Sequence, residues 1–402
     1  MMRKVFVMPL LLVLILPVLS GCWNQKELTD LAFVMAMGID KGEDKKFEVS
    51  FQIVIPGNVS TGQNGGAQGL PIAVYTSSGD TLTEATRKAT KVISRRLYYA
   101  HTNLIAVSEE IAKDGLLDIL DALDREPEFR TTTELVVTRK IPAIVLVSAL
   151  ANLDKLPVNK ITKEIDSTEM MLGENMSVNI DDFLSGLVSK GKEPIVNGFI
   201  VKGEPEMAGK SADLQHTKAL AILGAGGLAV FKKGELTGWV ENENARGVVW
   251  ILDRVKGTSV HVDWNGKKDA ITMAIIRSKT NVSVKFKNGK PVIHVAIEDE
   301  GWISEANTAV DLMNPKDIEK IDRQVEIEIK QQILASVKEA QKMKSDIFGF
   351  GERVHRKNPK YWNKVKRNWG EYFANLEVKV KVDSYIRREG IRTKPFWSDF
   401  NQ

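Results

Sequence analysis

A leader ending in a single cysteine constrains this chain more than anything that follows it. Arg3 and Lys4 precede fifteen uncharged residues, Val5 to Leu19, and Leu19-Ser20-Gly21-Cys22 closes the stretch. A basic start, an apolar core of about 7–15 residues and small residues at the exit describe a secretory signal. A membrane-spanning helix needs roughly 18 or more apolar residues, so the segment reads as a leader to be removed and not as a permanent span. Cys22 is the only cysteine in 402 residues, and no disulfide partner explains it. Leu-Ser-Gly-Cys resembles a lipobox, in which the thiol is acylated and becomes the new N-terminus after cleavage. An ordinary cleaved leader followed by a stray thiol is the alternative. On the lipobox reading, residues 1–21 are a lipoprotein signal. The body from Cys22 onward is then exported, tethered to a membrane face by a diacylglyceryl group and an N-acyl chain, and has no thiol left for disulfides or metal.

The body has the composition of a folded protein in water. Apolar residues make up 43% and charged residues 27%, enough for real cores, and the length suggests two to three domains. Lys and Arg number 56 against 52 Asp and Glu, and loss of Arg3 and Lys4 brings the balance closer to neutral. That gives no case for nucleic acid as a main partner.

Periodicity divides the body into three. In residues 22–192, strands at Val34–Asp40, Phe47–Ile55, Leu104–Val107 and Glu134–Thr138 alternate with helical stretches at Ile141–Leu150, Thr162–Met171 and Ile180–Val188. Thr81-Leu82-Thr83-Glu84 has the spacing of a capping box, and Pro56 to Leu70 is a loop. Residues 193–257 form a small middle domain of short strands and one helix, with Lys232-Lys233-Gly234-Glu235 as a hairpin turn and Gly224-Ala225-Gly226-Gly227 as a turn between strands. A phosphate-cradling loop needs a helix after its glycines, whereas here another strand follows. In residues 258–402, Val282, Val284 and Phe286 alternate with polar neighbours before the hairpin turn Asn288-Gly289. Leu376, Val378, Val380 and Val382 do the same. Between them, Ile318, Ile321, Val325, Ile329, Ile333, Val337 and Ala340 give a long helix over Pro315–Lys344 one apolar face. The fold class is thus α+β or mixed α/β: mixed sheets with packed helices, and a long amphipathic helix laid on an antiparallel sheet in the last domain.

Candidate chemistry is sparse. His101 has no cysteine nucleophile to serve and no second histidine near it in sequence. His216, His261, His294 and His355 are too scattered to suggest a metal site. Asp181-Asp182 suits a helix start, where negative charge complements the dipole, and no carboxylate pair has glycosidase spacing. Arg353, Arg356, Lys357, Lys360, Lys364, Lys366 and Arg367 surround Tyr361, Trp362 and Trp369. Trp362, Val365 and Trp369 fall at i, i+3 and i+7, which suits the buried face of a helix with its charges in solvent, and a contact with anionic headgroups or a partner is the other reading. No catalytic residue, metal or dissociable cofactor is assigned.

Four ordered blocks resemble the Ger(x)C family of spore-germination lipoproteins. They are Gly21-Cys22-Trp23-Asn24-Gln25-Lys26-Glu27-Leu28 with Ala36-Met37-Gly38-Ile39-Asp40; Gly79 to Ala85 with Arg96-Leu97-Tyr98-Tyr99-Ala100-His101; Gly227 through Trp239 to Trp250; and Asp346-Ile347-Phe348-Gly349-Phe350-Gly351. Val240 and its neighbours depart from the family's Leu- and Glu-rich run. The resemblance implies a three-domain fold and a non-enzymatic C subunit of a nutrient germinant receptor, acylated at Cys22. That subunit would lie on the outer face of the inner spore membrane beside membrane-embedded A and B subunits, and whether it meets the nutrient only indirectly or at all stays open. Part of the partner interface is expected around Trp239, Arg246 and Trp250. A substrate-binding lipoprotein that captures a small nutrient for a transporter is the alternative.

Overall fold

Apolar runs without a polar break mark strands covered on both faces. Leu104-Ile105-Ala106-Val107 and Leu135-Val136-Val137 are such runs, every residue at 0% exposure. In the computed structural model, which describes residues 27–59 and 69–387, they sit at the centre of a nine-stranded sheet. β1 (Leu31–Lys41), β2 (Phe47–Val54) and β3 (Ile72–Gly79) form an antiparallel meander. β4 (Arg96–Tyr98) pairs with the start of β1. β5 (Leu104–Ser108), β6 (Glu134–Thr138) and β7 (Ile195–Gly203) follow in parallel from β1. β8 (Ala221–Lys232) and β9 (Glu235–Val240) return antiparallel, giving the order β3-β2-β1-β5-β6-β7-β8-β9.

Side chains alternate across this sheet, so each face has its own cover. Ile105, Val107, Leu135 and Val137 pack with α1 (Leu82–Lys88), α2 (Glu109–Asp114) and α3 (Leu117–Arg125). Leu104, Ala106 and Val136 face α4 (Ala143–Ser148) and α5 (Pro157–Met171). α6 (Ile180–Val188) sends Ile180 and Phe183 into the first cluster. Thr81 caps α1 through Glu84 N–H at 3.1 Å, but the Glu84 carboxylate accepts from Asp80 N–H at 2.8 Å, one residue earlier than a capping box would place it.

The separate middle domain expected at 193–257 meets a sheet that runs through its boundary: β7, β8 and β9 extend the N-terminal sheet. Alternation marks a strand and its buried face but not the strand it pairs with. The Gly224–Gly227 run, expected as a turn, lies inside β8. There the register with β7 shifts between Asn197 and Phe199, and Gly227 takes φ +86°. Glycine supplies a bulge within one continuous strand.

α7 (Asn242–Ile251) carries the chain to the second sheet, with Ala245 to Ile251 all buried. A helix apolar on every side is one packed on every side. β10 (Thr258–Trp264), β11 (Lys267–Lys287) and β12 (Lys290–Ala306) are antiparallel, with Asn288-Gly289 at the second hairpin. The long helix α8 (Pro315–Lys342) buries Ile321, Val325, Ile329, Ile333, Val337 and Ala340. After α9 (Phe350–Lys357), α10 (Pro359–Val365) and α11 (Trp369–Ala374) comes β13 (Glu377–Ile386). The sheet expected to be antiparallel is therefore mixed. β13 pairs in parallel with β12, because a helical crossover returns the chain in the direction it left. One apolar cluster joins both sheets, from Ala32 to Val382. No helix of the described residues is long and apolar enough to cross a membrane.

Where α8 crosses β12 and β13, three carboxyl groups converge. Asp299, 1% exposed, accepts from Ser384 Oγ at 2.7 Å, and its second oxygen has no partner among the described residues. Glu326 accepts from Ser384 N–H at 3.3 Å and Asp322 from Ile386 N–H at 3.2 Å. Burial, then the neighbouring Asp322 and Glu326 charges, push the Asp299 carboxyl up to about 7, and burial pushes Asp322 up to about 6. The folded state thus holds protons that the unfolded chain releases above its ordinary carboxyl pKa. That contribution to stability is present at acidic pH and is lost as pH rises toward 7. The urea midpoint should fall between pH 5.5 and pH 8. Asp299→Asn keeps an acceptor for Ser384 without the charge, so it should remove on the order of 2 kcal/mol of that loss. A wild-type midpoint that is flat across this range, and that the substitution leaves unchanged, would refute the assignment.

Candidate functional site

The two sheets are joined through one buried loop. α8 ends and Ser345-Asp346 turns the chain back toward the first sheet. Ser345 Oγ donates to the Phe231 carbonyl of β8 at 2.5 Å, and Glu193 N–H donates to the Asp346 carbonyl at 2.9 Å. The Asp346 side chain is 1% exposed and accepts three hydrogen bonds: Phe350 N–H at 3.1 Å, Gly351 N–H at 2.7 Å and Trp369 Nε1–H at 2.8 Å. Burial pushes its pKa up to about 6, opposed by these donors. A buried carboxylate persists only when its oxygens are met by donors in this way. Gly351 lies against Gly191 of the first half: a Cβ on Gly351 would sit 2.7 Å from the Gly191 carbonyl oxygen and 2.7 Å from Trp369 Nε1. The backbones touch because neither residue carries a side chain.

A second brace spans the block from Gly227 to Trp250. Trp239 is half-buried on Gly198 of β7, under the Arg139 guanidinium at 4.8 Å, and its Nε1–H points to Glu109 at 3.4 Å. Arg139 also pairs with Glu241 at 2.6 Å. Arg246, 7% exposed, donates to the Leu172 and Ser259 carbonyls at 3.2 Å each and to the Glu174 carboxylate at 3.0 Å. It therefore pins the end of α5 and strand β10 to α7. Trp250 is 0% exposed. The partner surface expected at Trp239, Arg246 and Trp250 is thus mostly interior. Tryptophans and an arginine in a helical run suit a hot spot and a core equally well in sequence, and here α7 is covered on every side.

The joint and the brace coincide with the most distinctive sequence blocks, and comparison with known proteins accounts for them. Residues 24–200 match the family described as spore germination protein N-terminal domain, and residues 226–390 match spore germination B3/GerAC like, C-terminal. Spore germination protein KC of Bacillus subtilis (strain 168) is 40% identical over 405 residues, covering 100% of this chain and 99% of its own. Spore germination protein B3 of the same organism is 22% identical over 92% of this chain and 94% of its own. The chain belongs to the Ger(x)C family of spore germination proteins. The crystal structure of the GerBC protein covers 90% of this chain and 99% of its own with a TM-score of 0.53 at 17% identity, a likeness of fold.

Within this Ger(x)C protein the remaining candidates are scattered. Cys22 lies outside the described residues. His101 is exposed against Phe33 and Tyr98, at 5.5 and 5.8 Å between rings, and His355 lies 5.7 Å from Trp362. No group of three His, Cys, Asp or Glu among the described residues is arranged to hold a metal. Trp362, Val365 and Trp369 are buried, though over two short helices instead of one, and the Trp362 ring lies tilted, 5.2 Å from that of Trp369. Sequence reasoning missed Gly191, Glu193, Ser345 and Glu174, whose roles lie in pairings over long separations that no local period encodes. Asp346→Asn would turn an amide N–H₂ toward backbone and indole donors. It should cost on the order of 2–4 kcal/mol in urea unfolding. A loss below about 0.5 kcal/mol would show that the carboxylate does not hold the joint.

Proposed function

We propose that this protein is a lipid-anchored, non-enzymatic C subunit of a spore nutrient germinant receptor, held on the outer face of the inner spore membrane beside A and B subunits. The observation that carries this is similarity to spore germination protein KC, 40% identical over 100% of this chain and 99% of that one. The four sequence blocks that resemble the family supply the receptor context, and Leu19-Ser20-Gly21-Cys22 supplies the anchor.

The mechanism follows from the tether. Each buried methylene adds about 0.8 kcal/mol, and a single chain binds a membrane only marginally, so a diacylglyceryl group with its two chains holds the body in place. Confinement to one membrane face raises the concentration of the body beside its partner subunits, and a weak contact becomes persistent. The braces described above suit such a body, since a rigid partner loses little conformational entropy on docking. No step of chemistry on a substrate is assigned to it.

Spores carrying Cys22→Ala should contain the folded body yet respond to nutrients on the order of tenfold more slowly, the scale of a lost effective concentration. Their response to a trigger that bypasses receptors should be unchanged. Normal nutrient germination at normal protein level would refute the anchor. An unchanged nutrient response in spores lacking the protein altogether, with no related chain to replace it, would refute the receptor role.

A further inference from the structure

At the joint, a cleft of about 640 Å³ opens over the indoles of Trp362 and Trp369. This is within the range of small-molecule sites, roughly 300–1,000 Å³. Its walls come from four separate segments and are strongly basic. Lys190 and Lys192 project from the segment after α6, Lys232 and Lys233 from the β8–β9 hairpin, Lys344 from the end of α8, and Lys366 and Arg367 from the link between α10 and α11. The acids among them are already engaged. Asp346 is held by its N–H donors, Glu371 pairs with Lys344 at 2.7 Å, and Glu193 accepts from Lys233 N–H at 2.8 Å, its pKa raised by burial against that bond and the nearby Lys232 and Lys233 charges. Lys190, Lys192, Lys232, Lys233, Lys366 and Arg367 have no ion pair among the described residues. Seven Lys and Arg side chains thus face three acids in the lining of this one cleft, while Lys and Arg exceed Asp and Glu by only 4 over the whole chain.

We propose that this cleft is a binding site for a small, multiply charged anion of the phosphate or carboxylate class. Cations converging from several walls on a concave, aromatic-floored site focus the field inside it, and a compact anion meets several of them at once. An extended polyanion would need a strip of charge along one face. A bilayer headgroup is disfavoured by position. β1 runs from Leu31 to Lys41, and the turn after Lys41 shares a pocket with Lys233 of the cleft wall. The N-terminal tether joins the opposite end of β1, about 33 Å away at ~3.3 Å per residue. That exclusion rests on the anchor reading above, whereas anion binding by the purified protein does not, so the two fail separately.

The test is isothermal titration of the full-length protein in detergent, at low ionic strength, with inorganic phosphate and pyrophosphate. Pyrophosphate should bind saturably and more tightly than phosphate. Lys366→Gln with Arg367→Gln should weaken it by about tenfold or more, since charge-assisted contacts are the strong ones. Lys357→Gln with Lys360→Gln removes equal charge from exposed positions outside the cleft and should change it by less than about twofold. Thermal melts check that each variant folds, and Lys190→Gln with Lys192→Gln replaces the first pair if it does not. Absence of saturable binding overturns the proposal, as does an equal loss in both double variants. Binding of phosphatidylglycerol vesicles that the cleft variant abolishes, without pyrophosphate binding, replaces it with a headgroup site.

Discussion

The Ser345-Asp346 turn carries the polar contacts on which the relation of the two sheets depends, and the Asp346 carboxylate holds that turn in shape. The carboxylate is buried, and it turns Phe350 and Gly351 N–H and the Trp369 indole toward a single point. Its neighbour Ser345 and its own carbonyl reach across to Phe231 and to Glu193. The N-terminal sheet therefore meets α9 and α11 through polar groups satisfied only in this arrangement. Apolar packing would tolerate some sliding, but a buried ion bonded to three donors does not.

Arg246 extends the same logic along α7. Its guanidinium ties the end of the α5 segment and one strand of the second sheet to a single helix, so the two sheets are also held along α7.

Much of this was legible in the sequence. The 3.6-residue spacing from Ile321 to Ala340 specified α8 and its buried face, Asn288-Gly289 specified a hairpin, and Val282-Ser283-Val284 specified a strand with one face covered. Each is a signal carried within a dozen residues. Pairing across hundreds of residues leaves no such signal. The chain between Glu193 and Val240 shows strands but not that β7 pairs with β6, and nothing local tells that β13 runs parallel to β12. Trp250 was expected near a partner surface and is interior for the same reason: the second sheet that covers its helix is far away in sequence. The cleft was half-legible. The basic residues beside Trp362 and Trp369 stood out as a group, but Lys190, Lys192, Lys232 and Lys233 arrive from the other half of the chain.

The basic cleft thus lies toward the Lys41 end of β1, and on the anchor reading proposed above the tether joins the Leu31 end. Were the basic cleft an aid to membrane binding, it would belong beside the proposed acyl chains, where each cation near an anionic surface adds about 1 kcal/mol. It lies instead where the two sheets close on each other, with Gly191 against Gly351 beneath it and the Asp346 loop as its floor. An anion bridging Lys192 or Lys232 from one half to Arg367 from the other would neutralise charges that now repel across the joint. It would thereby add to the polar contacts already holding the sheets together. Occupancy of the cleft and stiffness of the joint are then linked by mass action, and the same Asp346 loop that supports the fold also sets the distance between the cleft's two basic walls.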